Sequence, residues 1–319
     1  MADARISAVG LDVGGTKIAG GVVNFPSGEV LVRRVIPTVA ERDGERVLKD
    51  CLDFAADLIR EASSLDVEVK AVGVGVPELV DLEGNITSGH AVKWRGLPVQ
   101  ESLSKLAPAV VESDGRAAAL AESLLGAGKP FRLFVYVTVG TGISHCLVQE
   151  DRPYAGARGN ALIFASSPFT NTCTGCGTVL KPVLEDFAAG PALVARYNQL
   201  SQRKTTRAEE VISAADAGDS AAAQVVRSAG EALGVSVALL INTLDPQAVI
   251  VGGGLGLVDG LYWRSFVDSA RDHIWSEDSR DLPVLRAALG TDAGLIGAAA
   301  TAVRKIPESG SPARAPAQR

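Results

Sequence analysis

The stretch LDVGGTKIAG, residues 11–20, combines residue types that suit the binding of a polyphosphate. Asp12 ends an apolar run, and the residues that follow include Gly14, Gly15, Thr16 and Lys17. A carboxylate at a strand end can hold a hydrated Mg²⁺, which binds proteins through few carboxylates and keeps several waters. We therefore predict a turn between two strands that binds phosphate and its metal ion. A turn-capping role for Asp12 is the simpler alternative.

A second glycine-rich turn echoes the first. Residues 137–142 read VTVGTG, so that Gly140, Thr141 and Gly142 lie between two apolar segments. Neither turn has the spacing of a P-loop, and neither opens directly into a helix as a dinucleotide-binding fingerprint does. Glycines at hairpins are commonly turn formers only. Two such turns nevertheless predict two similar halves that close on one nucleotide.

Two further segments place polar or glycine-rich residues after a predicted strand. Asp114 follows a short strand that ends at Ser113, and an alanine-rich helix comes next. It could cap that helix, or it could be a general base that takes the proton of an attacking hydroxyl in phosphoryl transfer. Gly252, Gly253 and Gly254 end the segment DPQAVIVGGG, where an open α/β sheet binds ligands. Their backbone could approach a base or ribose closely, or they could form a plain flexible loop.

In combination, these segments resemble the ROK family (repressors, open reading frames and kinases). The family's phosphate motifs D-[IV]-G-G-T-K and [VL]-G-T-G-[IV] read DVGGTK and VGTGI here. Its N-D-A-N-A-A-A-x-x-E reads SDGRAAALAE, its N-P-x-x-I-V-[IL]-G-G-G reads DPQAVIVGGG, and its late G-A-x-G-A-A reads GLIGAAA. The resemblance implies ATP as phosphoryl donor, Mg²⁺, and Asp114 as catalytic base. It also implies the actin-like ATPase (ribonuclease H-like) fold, with two α/β domains around a central cleft.

The predicted elements agree with an α/β class, because β-branched runs alternate with helical patterns. We expect residues 1–115 to form an N-terminal α/β domain with the first phosphate motif and part of the acceptor site. Residues 116–305 are expected to form a C-terminal α/β domain with the second phosphate motif, a degenerate zinc loop and the adenosine site. A continuous helix is predicted over Val183–Arg196, and a disordered tail over 306–319.

The acceptor site departs from the family pattern. In the family, G-A-x-G-x-A is followed by G-E-I-G-H, whose glutamate and histidine contact the sugar near its anomeric end. Here GARGNA, residues 156–161, is followed by LIFA, residues 162–165, so that both residues are missing. The resemblance still assigns acceptor binding to five residues, of which Ser113 and Glu78 replace a family asparagine and glycine: Glu78, Ser113, Asp114, Asn160 and Glu185. Arg116 and His90 also replace family asparagines, and drift of surface residues is the simpler alternative for both.

The family zinc motif is altered as well. It reads CTGCGTVLKPVLE here, so that Cys173 and Cys176 remain and the third cysteine is lost. A closed zinc site needs four ligands, and this pair supplies two. His145 or Cys146 could complete a site, and an oxidisable dithiol is another reading. We expect two loop cysteines left over from a decayed site.

The intact phosphate motifs and the altered acceptor motifs together predict a kinase with an unusual acceptor. We expect transfer from ATP to the exocyclic primary hydroxyl of a sugar-like ring. A seven-carbon cyclitol of the valiolone type fits best, since a carbocycle has no hemiacetal for the missing glutamate and histidine to contact. Kanosamine, whose ammonium could pair with Glu78, or another hexose is the alternative, and a sugar-sensing pseudokinase is a third. A repressor is disfavoured because DVGGTK begins at Asp12, which leaves no room before it for a helix-turn-helix domain.

Composition excludes several other classes of protein. The chain has 319 residues and a formal net charge of −6, with acidic and basic residues interspersed. No basic stripe indicates nucleic acid as a partner, and no long apolar run or signal segment indicates a membrane. We expect a soluble cytoplasmic protein with a small-molecule acceptor. The sequence leaves open whether it forms the homodimer that is common in the family.

Overall fold

The computed structural model describes residues 5–39, 43–167, 171–172, 177, 179–180 and 183–306. In chain order the strands are β1 (Ile6–Val13), β2 (Lys17–Phe25), β3 (Glu29–Pro37), β4 (Val69–Val76), β5 (Ala109–Ser113), β6 (Leu133–Val139), β7 (Ile143–Gln149), β8 (Arg152–Pro153), β9 (Asn171–Thr172), β10 (Val179–Leu180), β11 (Ala248–Gly252) and β12 (Val284–Arg286). The helices are α1 (Gly44–Ser64), α2 (Val99–Leu103), α3 (Asp114–Leu125), α4 (Glu185–Ala188), α5 (Gly190–Leu200), α6 (Ala208–Asp216), α7 (Ser220–Leu244), α8 (Leu261–His273) and α9 (Ala293–Lys305). Contacts divide these residues into two compact units, 5–121 with 155–160 and 292–306, and 122–154 with 161–291.

The first unit is built on a five-stranded sheet with the order β3-β2-β1-β4-β5. β1 pairs with β2 in antiparallel fashion, whereas β1, β4 and β5 are parallel. β1 and β4 are nearly continuous apolar runs, as expected for parallel strands that are covered on both faces. Because the three strands are parallel, their carboxyl ends meet at one edge. That edge carries Asp12 in β1, Glu78 just after β4, and Asp114 just after β5.

Helix α9 packs directly on the backbone of this first sheet. A Cβ atom added at Gly10 would lie 1.9 Å from the carbonyl oxygen of Leu295, and one at Gly73 would lie 1.8 Å from that of Ala298. Because glycine has no side chain, β1 and β4 allow the helix backbone to approach more closely than any other residue at these positions would permit. The boundary expected after residue 115 had assigned this helix to the second domain, but the helix belongs to the first unit.

The second unit repeats the strand arrangement of the first. Its sheet has the order β12-β11-β6-β7-β8, with β6, β11 and β12 parallel and β6, β7 and β8 antiparallel. In this sheet β6, β7 and β8 take the places of β1, β2 and β3, and β11 and β12 take those of β4 and β5. The predicted pair of similar halves, and with it the α/β fold class, is confirmed.

The core of the second unit includes the long helix α7. By length and composition alone, it is the one helix in the described part of the chain that could cross a membrane. More than half of its apolar stretch is buried, and among its core residues are Leu233, Val237 and Ile241. It therefore has the character of a core helix.

The predicted helix over Val183–Arg196 is interrupted. Helix α4 ends at Ala188, Ala189 is extended, and α5 begins at Gly190 with a proline in its first turn. Proline lacks an N–H and its ring favours the start of a helix over its interior. The break leaves the N–H of Gly190 to donate to the carbonyl of Gly140, 2.8 Å away, so that the interruption supports the second glycine-rich turn.

Candidate functional site

Asp12 lies at the carboxyl end of β1 in a partly desolvated position. It pairs in register with Ala19 of β2 and Gly75 of β4, and its side chain is half-buried. A Cβ atom added at Gly294, in the first turn of α9, would lie 2.4 Å from its Oδ2. Burial raises the pKa of Asp12 to about 6, although the Lys17 ammonium acts in the opposite direction. A desolvated carboxylate with one nearby cation is suited to gain a divalent ion.

The turn after Asp12 presents backbone donors to solvent. The N–H of Gly14 donates to the carbonyl of Lys17 at 2.8 Å, and the N–H of Thr38 donates to the carbonyl of Thr16 at 2.9 Å. No described residue accepts from the N–H groups of Gly15 and Thr16, and Gly15, Thr16 and Lys17 are exposed. The predicted turn is thus present, with two N–H groups and one ammonium available for an anion.

Asp114 lies at the junction of β5 and α3. Val76 of β4 pairs with Ser113, so that the carboxyl ends of β4 and β5 are adjacent and Asp114 leaves the sheet at the edge that carries Asp12. Its Oδ1 accepts from the N–H of Gly115 at 2.6 Å, and the side chain is half-buried. This contact with the first turn of α3 fixes the carboxylate at the helix N-terminus, where negative charge is stabilised.

Arg116 is a buried clamp, so the interpretation of this residue as surface drift is wrong. The residue is 8% exposed. Its guanidinium donates to Glu112 Oε1 (Nε, 2.6 Å), to the carbonyl of Gly159 (Nη1, 2.7 Å) and to the carbonyl of Val80 (Nη2, 2.8 Å). Three segments distant in sequence are thereby fixed two residues from Asp114. The glutamate four residues before the arginine was the available signal in the sequence.

We expect Arg116→Ala to lower the free energy of unfolding by about 2–4 kcal/mol, because two buried carbonyls and one carboxylate lose their charged donor. Arg116→Lys should recover only part of the loss, since an ammonium cannot reproduce the planar fork. Urea denaturation would measure both variants. Arg158→Ala is the matched control, because that side chain is exposed and lies next to Gly159, whose carbonyl Arg116 binds. Equal losses for the variants at 116 and 158 would contradict the clamp.

Glu78 faces the protein interior, although the acceptor was expected to contact it. The residue is 4% exposed. Oε1 accepts from the N–H groups of Ala91 (2.7 Å) and Val92 (3.0 Å), and Oε2 accepts from the N–H of His90 (3.0 Å) and from the hydroxyl of Ser88. A carboxylate has about four acceptor positions, and all four are occupied here. Glu78 therefore shapes the loop over 87–92 and has no position left for a substrate.

The second unit brings its two predicted nucleotide segments together. Gly140 and Gly142 close the β6–β7 turn with a hydrogen bond of 2.9 Å between their backbones. Gly253 has φ +81°, and a Cβ atom there would lie 2.4 Å from the carbonyl of Val139. That carbonyl accepts from the N–H of Leu255 at 2.9 Å. Because β6 and β11 are parallel neighbours, both turns lie at the same sheet edge, and Thr141 and Gly254 are exposed there.

Glu185 contacts the second glycine-rich turn. Its Oε2 accepts from the N–H of Ile143 at 2.7 Å, and a Cβ atom on Gly142 would lie 2.6 Å from the same oxygen. Glu185 therefore holds the turn in place, and no described residue donates to its second oxygen. Asn160 is exposed next to the clamped Gly159 in the first unit. Both residues stay predictions as acceptor ligands.

His145 is a buried histidine whose ring nitrogens have no hydrogen-bond partner. It is 5% exposed and lies edge-on to Phe164, with 5.8 Å between ring centroids. Burial lowers the pKa of His145 to about 4. His145 and Cys146 are successive strand residues and point to opposite faces, so they cannot both complete one metal site. The described residues contain no group of three metal ligands, and Cys173 and Cys176 lie outside the described residues.

Acidification should destabilise the protein through His145. The unfolded chain binds a proton near pH 6.5, whereas the folded state resists it until about pH 4. Stability is therefore complete above pH 6.5 and falls as the pH drops toward 4, by up to about 3 kcal/mol. Urea denaturation of the wild type and of His145→Leu across this range would test it. Parallel pH profiles for the two proteins would exclude this role for the histidine.

Comparison with known proteins places these features in a family. The sequence profile of the ROK family matches residues 8–305. A glucokinase of Streptomyces coelicolor is 29% identical over 311 residues, which cover 91% of this chain and 96% of that protein.

Two solved structures share the fold. A ROK hexokinase from Thermus thermophilus has a TM-score of 0.76 and 34% identity, covering 94% of this chain and 99% of its own. A ROK family glucokinase from Streptomyces griseus, in complex with glucose and AMPPNP, has a TM-score of 0.79 and 29% identity, covering 93% and 99%. These likenesses confirm the actin-like ATPase fold that the sequence motifs implied.

Proposed function

We propose, from the premise that this chain belongs to the ROK family, that it is an ATP-dependent kinase of a sugar or sugar-like ring. One observation carries the proposal: Asp114 and the DVGGTK turn leave the first sheet at the same edge, through the parallel strands β1, β4 and β5. A base and a phosphate-binding turn at one sheet edge suit phosphoryl transfer to a hydroxyl. The similarity to glucokinases along nearly the whole chain supports the same activity.

In this mechanism, Asp114 accepts the proton of the exocyclic primary hydroxyl. The hydroxyl oxygen forms a bond to the γ-phosphorus as the bond from that phosphorus to the ADP oxygen breaks. The Gly115 N–H holds one carboxylate oxygen of Asp114 in place at the start of α3. Most of the rate gain would come from orientation and from electrostatic stabilisation of the transferred group.

Groups that could bind the phosphates of ATP lie on glycine-rich turns in each of the two units. In the first unit, the N–H groups of Gly15 and Thr16 and the Lys17 ammonium would bind phosphate oxygens, and Asp12 would hold Mg²⁺. When bound, Mg²⁺ neutralises phosphate charge in the transition state. In the second unit, the turns over 140–142 and 252–254 would bind the nucleotide through their exposed backbone. The required glycine at 253 supports a function that depends on backbone geometry.

For the acceptor, we favour a seven-carbon cyclitol of the valiolone type. The chain lacks the family glutamate and histidine near the anomeric end, and a site built for particular hydroxyls rejects rings without them by large factors. The main argument for kanosamine was an ammonium paired with Glu78. Because the Glu78 carboxylate is already fully hydrogen-bonded, that argument falls away. A hexose acceptor is the second candidate, since the relatives include glucokinases.

An acceptor panel tests the assignment. Assays of ADP release from Mg-ATP would compare the kcat/KM values of valiolone-type cyclitols, kanosamine, glucosamine, glucose, mannose and N-acetylmannosamine. The highest kcat/KM for a cyclitol is expected. The highest value for glucose would overturn the cyclitol assignment and leave the kinase intact. ATP binding without turnover on any acceptor would indicate the pseudokinase.

A further inference from the structure

An open cavity lies beneath the loop that follows β4 in the first unit. Its volume is about 540 Å³, within the range of small-molecule sites. Its lining includes Leu79, Thr87, Ser88, His90, Lys93 and Arg95. Lys93 and Arg95 are exposed, and neither forms an ion pair with a described residue. None of the described residues that line the cavity carries a carboxylate.

The loop around this cavity has a fixed frame. The buried Glu78 carboxylate accepts from the backbone at His90, Ala91 and Val92, and Ser88 donates its hydroxyl to the same carboxylate. The Ser88 hydroxyl oxygen also accepts from the N–H of Leu79 at 2.9 Å. These bonds direct the loop's N–H groups inward. Positive charge in the cavity therefore comes from side chains on a loop whose backbone is held in place.

The cavity also lies at the sheet edge that carries the proposed catalytic base. Leu79 is three residues beyond Val76, which pairs with Ser113. Arg116, two residues after Asp114, donates to the carbonyl of Val80 at 2.8 Å. Residues that line the cavity and Asp114 are thus connected through a few buried contacts within one unit.

From these contacts we infer that the cavity binds an anionic group, a carboxylate or a phosphate, through Lys93 and Arg95. Lys93 and Arg95 line the same cavity, and no carboxylate among its described lining residues offsets their charge, so an anion bound there would gain charge-assisted hydrogen bonds. The anion is either a substituent of the ring acceptor or a free ion. The first of these rests on the proposed function, and a ring with an acidic substituent away from the attacked hydroxyl would then bind more tightly than its neutral analogue.

Binding measurements separate these sources from each other and from turnover. Isothermal titration calorimetry with saturating Mg-AMPPNP, which fills the phosphate turns, would use glucose, glucose 1-phosphate and inorganic phosphate as probes. Glucose 1-phosphate keeps its primary hydroxyl and carries an anion elsewhere on the ring. The variants are Lys93→Gln/Arg95→Gln and, as a control with the same change in charge, Lys105→Gln/Arg227→Gln at exposed positions.

Glucose 1-phosphate should bind the wild type at least tenfold more tightly than glucose, and the variant at 93 and 95 should lose this advantage while the control keeps it. If inorganic phosphate binds the wild type but not the variant at 93 and 95, the cavity is supported as an anion site whose ligand is a free ion. The inference would be overturned if none of these anions bound in a way that depends on Lys93 and Arg95. Because the readout is binding, a failure of the kinase proposal would show separately, as absent phosphoryl transfer with intact anion binding.

Discussion

Replacement of Asp114 by asparagine is expected to lower kcat by about 10²–10⁴-fold, the usual contribution of a positioned general base. Asparagine preserves the size of the side chain and an oxygen that can accept from the Gly115 N–H, but it cannot take a proton from the attacking hydroxyl. The binding of ATP should change little, because the phosphate turns remain intact. The acceptor KM should change far less than kcat.

Steady-state assays on the best acceptor would measure this loss, with Asp272→Asn, the same change at an exposed position in α8, as the control. Thermal unfolding of the same variants would show that the fold survives. Turnover by Asp114→Asn at the wild-type rate would remove the residue from the mechanism and leave it as the first residue of α3.

Replacement of Asp12 by asparagine should have opposite effects on turnover and on stability. The carboxylate is held at the end of β1 against Gly294, and burial raises its pKa to about 6. Below the unfolded value of 3.8 the group is neutral in both states. As the pH rises through about 6, the folded state must ionise a desolvated group, and stability is lost.

At pH 7, without metal or nucleotide, Asp12→Asn should therefore unfold with a free energy about 1–3 kcal/mol higher than the wild type. The difference should shrink as the pH falls toward 4. Turnover should fall by about 10²-fold or more, since the variant loses the carboxylate proposed to hold Mg²⁺. Urea denaturation at several pH values and steady-state assays give the two readouts. A variant that is less stable at pH 7 and still active would contradict the account of Asp12.

The sequence predicted the sheet-edge residues well, for a physical reason. Apolar runs that end in Asp12, Asp114 or a glycine cluster reveal buried parallel strands, and parallel strands bring their carboxyl ends together. The packing of α9 on Gly10 and Gly73 was also readable in principle, because glycines inside apolar strands indicate close approach of another backbone.

The residues misread from sequence have partners that are distant along the chain. Arg116 binds carbonyls at Val80 and Gly159, and no local pattern predicts those contacts. Glu78 was expected to bind the substrate because it is a carboxylate near the acceptor motifs. In the structure it accepts from backbone N–H groups more than ten residues later, so it supports a loop instead. Motif spacing identifies which residues reach the site, whereas tertiary contacts decide which of them remain available to a ligand.

The central claim is phosphoryl transfer from ATP to a primary hydroxyl outside the ring. The most direct test is ³¹P NMR of a reaction of the purified protein with Mg-ATP and a valiolone-type cyclitol. We expect a phosphate monoester coupled to the two protons of one CH₂ group, formed in step with ADP and far more slowly with Asp114→Asn. ATP that remains intact, or that yields only inorganic phosphate with the cyclitol and with every hexose tried, would contradict the account.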